Sequence, residues 1–564
     1  MKKNAFKLAF ICFFLSAALL LIPSCKADDD DDNNTTAKTT YTITLNANGG
    51  TMTGRKTYKV EIGENWRIPE ATELGLSHKT LNFQGWATSA GSSEVTYGDN
   101  YLFCPESDLT LYAIWAETKQ VTYTVTSSDS LNDIITSIKT LQESKTAYTI
   151  YIDGELELTG RISIEDPSEH GTPVKMAEKI TIIGKGTEDK LLGSSDTILH
   201  IKTQAPVIIK NLTLSNGDGY APITEKCGGA IYMEGSSASV TLDSGAILSS
   251  NKADKGGAVY VSGGTLRIAG AKITENKASS GEGGAIFNDK GTIQITGGEI
   301  SSNEASFGGA IYTSNELDMS GGTVSGNKAT EFGGGIYIKS GTVSLTGGAI
   351  SKNSATNGGG VFANGGSISA EGTGISENTA VKGAGVFNKA SFTLGGGSIS
   401  YNTATKSESE TSCGGGIYND SEATVLIEGG YVSSNSADNG AGIYNRATFT
   451  FNNGFIDSNI ASGNGGGIYN SGKATMGTHS LQNGMYIIAG KIEENKADGN
   501  GGGIYNADGL FSLNTERQAD DTVVFGSISG NTATSGKTWY KEGGTVKIKG
   551  TEQNETSSDE DIKE

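Results

Sequence analysis

Proline is scarce in this chain and then absent: the seven prolines fall at 23, 69, 105, 167, 173, 206 and 222, and none follows. Every residue beyond Pro222 keeps its amide hydrogen, which an unbroken hydrogen-bond ladder needs. Histidine is as rare, with only His78, His170, His200 and His479, so a His-based triad or zinc site has little material. Of the five cysteines, Cys12 lies in the N-terminal apolar stretch and Cys25 just after it; Cys104, Cys227 and Cys413 are an odd, scattered set, which argues against a disulfide framework and a metal cluster. A surplus of positive charge is also missing. The net charge of −20 weighs against nucleic acid and anionic lipid surfaces as partners. Glycine runs such as SGNGGG lead into no helix and no Lys-Ser/Thr pair, so they are not phosphate loops, and the calcium nonapeptide GGxGxD does not occur. No cofactor and no metal are expected.

What the chain has in quantity is glycine, 81 residues of it, in a repeated sentence. ISSNEASFGGAIY (residues 300 to 312) combines an apolar residue, an Asn, an Ala, two glycines, an aliphatic and an aromatic. Asn303 has counterparts at Asn251, Asn276, Asn327, Asn353, Asn378, Asn402, Asn435, Asn459, Asn495 and Asn531, each followed two residues later by Ala. An aliphatic-aromatic pair recurs with its ring at Tyr232, Tyr260, Phe287, Tyr312, Tyr337, Phe362, Phe387, Tyr418, Tyr444, Tyr469 and Tyr505, stepping by 25 residues from Phe287 to Phe387. Stretches such as TIQITGGEISSN alternate apolar and polar residues with the period of a strand. The composition, rich in Gly, Ser, Thr, Ile and Val, rules out a helical solenoid, and 25 residues are too few for a propeller blade. One coil of a parallel β-helix fits. Asn303 is expected to turn the chain at a corner, Ala305 to fit a tight interior, and stacked asparagines to bridge successive coils. Eleven coils would span roughly 50 Å.

GGAIY paired with the Ile300-to-Asn303 element resembles the repeats of the chlamydial polymorphic outer membrane proteins, and more broadly adhesin-type right-handed β-helices. The second motif here begins with Ile or Val instead of Phe, so the likeness is one of architecture. Those proteins carry a C-terminal translocator barrel, for which the acidic tail TEQNETSSDEDIKE leaves no room, so an anchor is expected elsewhere. The N-terminus offers one. MKKNAFK is basic, residues 8 to 22 are apolar, and Ile22-Pro23-Ser24-Cys25 resembles a lipobox, in which Cys25 is lipidated and starts the mature chain. Residues 41 to 116 hold Trp66, Trp86 and Trp115 and the strings NANGG, GW and LYAIW, which resemble the internalin-type B repeat (Listeria-Bacteroides repeat), a small β-grasp-like module of bacterial surface proteins. The resemblance implies surface display, in some members host binding, and no chemistry; the tryptophans are expected to form a core.

The expected organisation is all-β: a lipoprotein signal peptide (1 to 24), an acidic tether (25 to 40), the B-repeat module (41 to 116), an N-terminal cap with the first β-helix strands (117 to 227), the repeat β-helix (228 to 550) and an acidic disordered tail (551 to 564). The one good helix, about 130 to 144, starts with Ser130 and Asp133 in a capping arrangement and carries Leu131, Ile134, Ile135, Ile138 and Leu141 on one stripe. It is expected to cover the open end of the solenoid.

The function expected is that of a lipid-anchored outer-membrane protein facing the exterior, an adhesive rod for a host protein or glycan, without catalysis. Tyr418, Tyr444, Tyr469 and Tyr505, if their rings face outward, are candidate stacking positions. Three segments break the period, TKSESETSC (405 to 413), SGKATMGTHSLQNG (471 to 484) and ADGLFSLNTERQAD (507 to 520), and are expected to contact the partner. The rival reading is a polysaccharide-binding or polysaccharide-degrading β-helix protein of the envelope, which needs acids gathered on one groove face. Arg267, Arg446 and Arg517 are widely separated, and the pairs Glu493-Glu494 and Asp520-Asp521 read as solvated surface. A third reading is a periplasm-facing structural lipoprotein with no outside partner.

Overall fold

The computed structural model describes residues 40 to 564 apart from 72, 93–95, 98–100, 117, 170–171, 223, 478–480, 483–484, 487–489, 514–526, 549–550, 554–555, 561 and 563–564. The signal peptide, Cys25, the tether up to residue 39, His170, His479 and Asp520-Asp521 lie outside the described residues. Two compact units divide the chain, Met1–Lys119 and Gln120–Glu564.

In the first unit four strands form a mixed sheet in the order Thr57–Glu61, Thr40–Asn46, Leu109–Ala116, Asn82–Ala87. Thr40–Asn46 runs parallel to Leu109–Ala116 and antiparallel to Thr57–Glu61. Ile43, Leu45, Val60, Ile68, Leu74 and Leu111 close a small core around Trp86, which has no exposed surface. Trp66 and Trp115 are partly buried against that core, and Trp115 Nε1 donates to the Ala47 carbonyl at 2.7 Å. The expected tryptophan core is therefore present. NANGG supplies the space for it: a Cβ on Gly50 would sit 2.2 Å from the Trp115 ring. No helix occurs in this unit among the described residues, and a second, two-stranded sheet pairs Trp66–Arg67 with Leu102–Phe103.

The second unit is a parallel β-helix. One coil runs through a first face (Ile311–Thr313), a second face (Glu316–Met319), a third face (Thr323–Ser325) and a short arm (Lys328–Phe332), and Gly333 to Gly335 return it to Ile336. Each strand pairs in parallel with its equivalent one coil on: Ile311 with Ile336, Leu317 with Val343, Val324 with Ile350. Alternation decides what is buried. Ile311, Leu317, Met319 and Val324 point into one continuous core that extends from Val125 to Val546. Gly308 shows why the repeat needs its glycines: its φ is +65°, and a Cβ there would meet the Ile311 carbonyl oxygen at 2.2 Å.

Stacking starts before residue 228, at Thr146–Ile152, which pairs in parallel with Lys179–Gly184. The helix spans Ser128–Leu141 and is capped by Ser127, whose Oγ accepts from the Ser130 amide at 3.4 Å. Ser130 is thus inside the first turn and not the cap. Leu131, Ile135 and Ile138 are buried in the same core as Ile150, Ile162 and Ile164, so the helix covers the first coil. Leu141, expected on the buried stripe, is 54% exposed because Gln142 (φ +49°) ends the helix there. At the other end the segment expected as a disordered tail folds back. Thr551–Glu552 pairs antiparallel with Lys547 and Ile548, Ser557–Ser558 with Trp539 and Tyr540, and Ile562 bonds Ile528 in both directions at 3.0 Å. Strands left unpaired at the last coil find partners in the chain's own terminus.

Candidate functional site

The repeated asparagines are buried, between 0% and 5% exposed, and form one hydrogen-bonded file along the solenoid. Asn303 is representative. Its Oδ1 accepts from the amide and side chain of Asn276 at 2.9 Å, while its own amide and Nδ2 donate to Asn327 Oδ1 at 3.0 and 2.9 Å. Nδ2 also donates to the Ile273 carbonyl of the preceding coil at 3.0 Å. The same links join Asn251, Asn276, Asn327, Asn353, Asn378, Asn402, Asn435, Asn459, Asn495 and Asn531. The left-handed turn belongs to the residue before each Asn, as at Ser302 with φ +57°. Asn303 supplies the corner's hydrogen bonds instead of the turn itself. These side chains satisfy backbone groups in a dry corner and are closed to any ligand.

A second asparagine file, not anticipated from the sequence, runs inside the first face through Asn388, Asn419, Asn445, Asn470 and Asn506, linked at 2.7 to 3.0 Å. Its signal was the trailing Asn of IYN, which reads as turn polarity until the coil places it indoors.

On the first face the aliphatic points into the lumen and the ring points away from it. The rings are nevertheless sheltered. Tyr232, Tyr260, Phe287, Tyr312, Tyr337, Phe362, Phe387, Tyr418, Tyr444 and Tyr469 stack with centroids 4.5 to 5.4 Å apart. Side chains from the arm, Phe307, Phe332 and Cys413, pack against them as a second hydrophobic cluster. The ladder runs on from Tyr505 to Tyr540 at 5.5 Å. At its start His200 lies 5.2 Å from the Tyr232 ring, with Nε2 3.0 Å from Glu234 and Nδ1 3.3 Å from Glu165. Of the four candidate stacking positions, Tyr418 and Tyr505 are buried and Tyr444 and Tyr469 half-buried. Their faces are taken up by each other. Burial raises the phenol pKa to about 12 at Tyr232, and in the same direction at Tyr418, Tyr444, Tyr469 and Tyr505.

Cys227 and Cys413 are free thiols on the arm, with burial pushing their pKa up to about 12 and about 11. Cys104 is disulfide-bonded, so of the three scattered cysteines only Cys227 and Cys413 are free. Among the described residues no group of three or more His, Cys, Asp or Glu could hold a metal ion, and no helix is long and apolar enough to cross a membrane.

The period-breaking segments prove shorter than they look. Lys473–Met476 and Leu510–Leu513 are ordinary second-face strands, paired with each other. The residues in excess of the period fall in sequence between the strands that end at Met476 and begin at Lys491, and between those that end at Leu513 and begin at Ile528. Segment 405 to 413 leaves the arm and borders an open hollow of about 510 Å³ with Asp438 and Ser462.

The third face changes character in the same region. Its first outward position carries Thr323, Ala349, Gly374 and Ser398, then Tyr431, Phe455 and Lys491. Its second carries Ser325, Ser351, Ser376, Ser400 and Ser433, then Asp457 and Glu493. Tyr431 and Phe455 stack at 5.0 Å, and Lys491 Nζ lies 5.8 Å from the Phe455 ring centre. Burial raises the Asp457 carboxyl pKa, the Ser458 hydroxyl opposes the rise, and Glu494 and Glu493 add to it. Asp457 Oδ1 is buried without a hydrogen-bond partner. Glu493 Oε1 accepts from Ser527 Oγ at 2.7 Å.

Residues 41–114 match the family model of the Listeria-Bacteroides repeat domain, and residues 491–507 match that of the Chlamydia polymorphic membrane protein repeat. No curated protein and no solved structure matches the chain. Both matched repeats are of kinds typical of surface or adhesin-like proteins.

Proposed function

We propose that this chain is a lipid-anchored bacterial surface protein whose β-helix is an adhesive module for a host protein or glycan, and that it carries out no catalysis. One observation supports the reading above the others: the regular side chains of the repeat are spent internally, asparagines on the corner and rings on one another. What varies from coil to coil is the outer surface and the extra chain, the arrangement of a rigid scaffold with a variable binding face. The matched repeats point to the cell envelope. Cys25 is the proposed lipid site and the outer membrane the proposed location, with the segments after Ala404, Met476 and Leu513 facing the partner.

An epitope placed after Glu564, with antibody labelling of intact and permeabilised cells, tests the display. Labelling of intact cells that is lost, or shed into the medium, in Cys25→Ala supports the reading; labelling only after permeabilisation overturns it and favours an envelope-internal structural role. Retained adherence after deletion of the three segments would remove them as the contact.

Polysaccharide handling is the second reading, and a specific arrangement favours it. Asp457 and Glu493 occupy neighbouring rungs beside the Tyr431–Phe455 pair, so acids that are distant in sequence share one face. Release of reducing ends from a polysaccharide, abolished by Asp457→Asn, would turn the module into an enzyme.

A further inference from the structure

The outer surface of the β-helix is almost free of large apolar groups. Among its described residues four such side chains are exposed, and three of them, Tyr401 (64%), Tyr431 (50%) and Ile460 (52%), lie within three successive coils; the fourth is Leu141 of the capping helix. Tyr431 and Phe455 are not part of the sheltered ring ladder. They stand on the third face, and their 5.0 Å separation with an interplanar angle of 9° is the spacing of adjacent coils. The rings are therefore stacked along the coil axis. Phe455 is held between Tyr431 and the Lys491 ammonium. The other face of Tyr431 looks toward Ser398, its partner in the preceding coil, whose side chain is too short to cover a ring. Beyond Ser398 the rung is Gly374, where a Cβ would meet nothing nearer than Ser398 Oγ at 3.8 Å. The result is a shelf: a flat floor of Gly374 and Ser398, an aromatic end wall at Tyr431, and Tyr401 three residues along from Ser398.

We propose that this shelf binds a neutral glycan, with one sugar ring stacked on the free face of Tyr431. The proposal deepens the interaction reading above and rests on it. Three features choose the ligand. An aromatic face beside hydroxyls and carboxylates suits a ring that is apolar on its faces and hydroxylated at its rim. The Ser398 hydroxyl stands on the rung that faces the free side of Tyr431, and Ser433 lies two residues along from the ring, so hydroxyls border the platform. An apolar peptide would leave these groups unpaired. Charge excludes acidic sugars: Asp457, Glu493 and Glu494 flank the ring pair, and Lys491 lies 3.9 Å from Glu493.

The test is native electrophoresis of the full chain through gels containing mannan, galactan, xylan, a soluble β-glucan or polygalacturonate. Retardation by at least one of the four neutral polymers is expected, with affinity falling about tenfold or more in Tyr431→Ser. Serine is the residue of the neighbouring rung, so Tyr431→Ser keeps the surface of an ordinary coil, and an unchanged melting temperature verifies the fold. Phe455→Thr is expected to weaken binding less, because it removes the support and not the platform. No retardation by any neutral polymer, retardation equal in wild type and Tyr431→Ser, or retardation by polygalacturonate alone would each overturn the shelf. Cell adherence of the same variants separates this from the broader reading: adherence without retardation overturns the shelf and leaves the adhesive module standing.

Discussion

The two units of this chain solve the same shortage of apolar residues in opposite ways. The unit at residues 40 to 116 closes a core of few residues around bulky rings, with Trp86 wholly enclosed and strands arriving in mixed directions. The β-helix closes a core of small aliphatics, one layer per coil, and adds a hydrogen-bonded asparagine to each corner. The first concentrates its stability in a single site; the second spreads it over nearest-neighbour links. Each unit is therefore vulnerable in a different place.

Trp86→Ala tests the concentrated core and should cost about 3–5 kcal/mol. In calorimetry the transition of the small unit should move or vanish while that of the β-helix stays in place; a shift of both would show that the units do not melt independently. Asn353→Ala tests the distributed corner. It removes the acceptor of the Asn327 amide and side chain, both at about 3 Å, and the donor to the Val324 carbonyl, all buried. Loss of these groups should cost about 2–4 kcal/mol in urea unfolding, and a cost near zero would mean that the corner's file of asparagines is incidental.

Alkaline pH should sharpen the contrast, because the groups that burial raises furthest belong to the β-helix. Cys227 is raised from 9.0 to about 12 and Tyr232 from 10.0 to about 12, so the folded state holds its protons where the unfolded chain has released them. Stability from these groups is complete below pH 9 and is lost as pH rises through about 12. The urea midpoint of the β-helix should fall over that window, and a flat profile would show that these groups become exposed without unfolding. By the same burial, Cys227 and Cys413 should resist thiol reagents at neutral pH until the chain unfolds. The smallest effect is expected at the surface: the exposed pair Lys352–Glu377, 3.7 Å apart, should give a coupling below about 0.5 kcal/mol in a double-mutant cycle.

The 25-residue step, the absence of proline after Pro222 and the alternation of Ile, Val and Leu determined that the chain stacks as a parallel β-helix, because a fixed period lets every coil bury the edge of the last. The NANGG, GW and LYAIW strings likewise announced the small unit and its core. Tertiary structure alone decided what the repeated side chains face. Adjacent strand residues point to opposite sides, so the sequence left the rings either inside or outside; the coil put them outside the lumen and the arm covered them. Only the stacking of coils could bring Ser398, Tyr431, Phe455 and Lys491 into one line, since neighbours along that line are 24 to 36 residues apart in the chain. Periodicity fixes which residues share a rung, and the course of each corner fixes which rungs meet solvent.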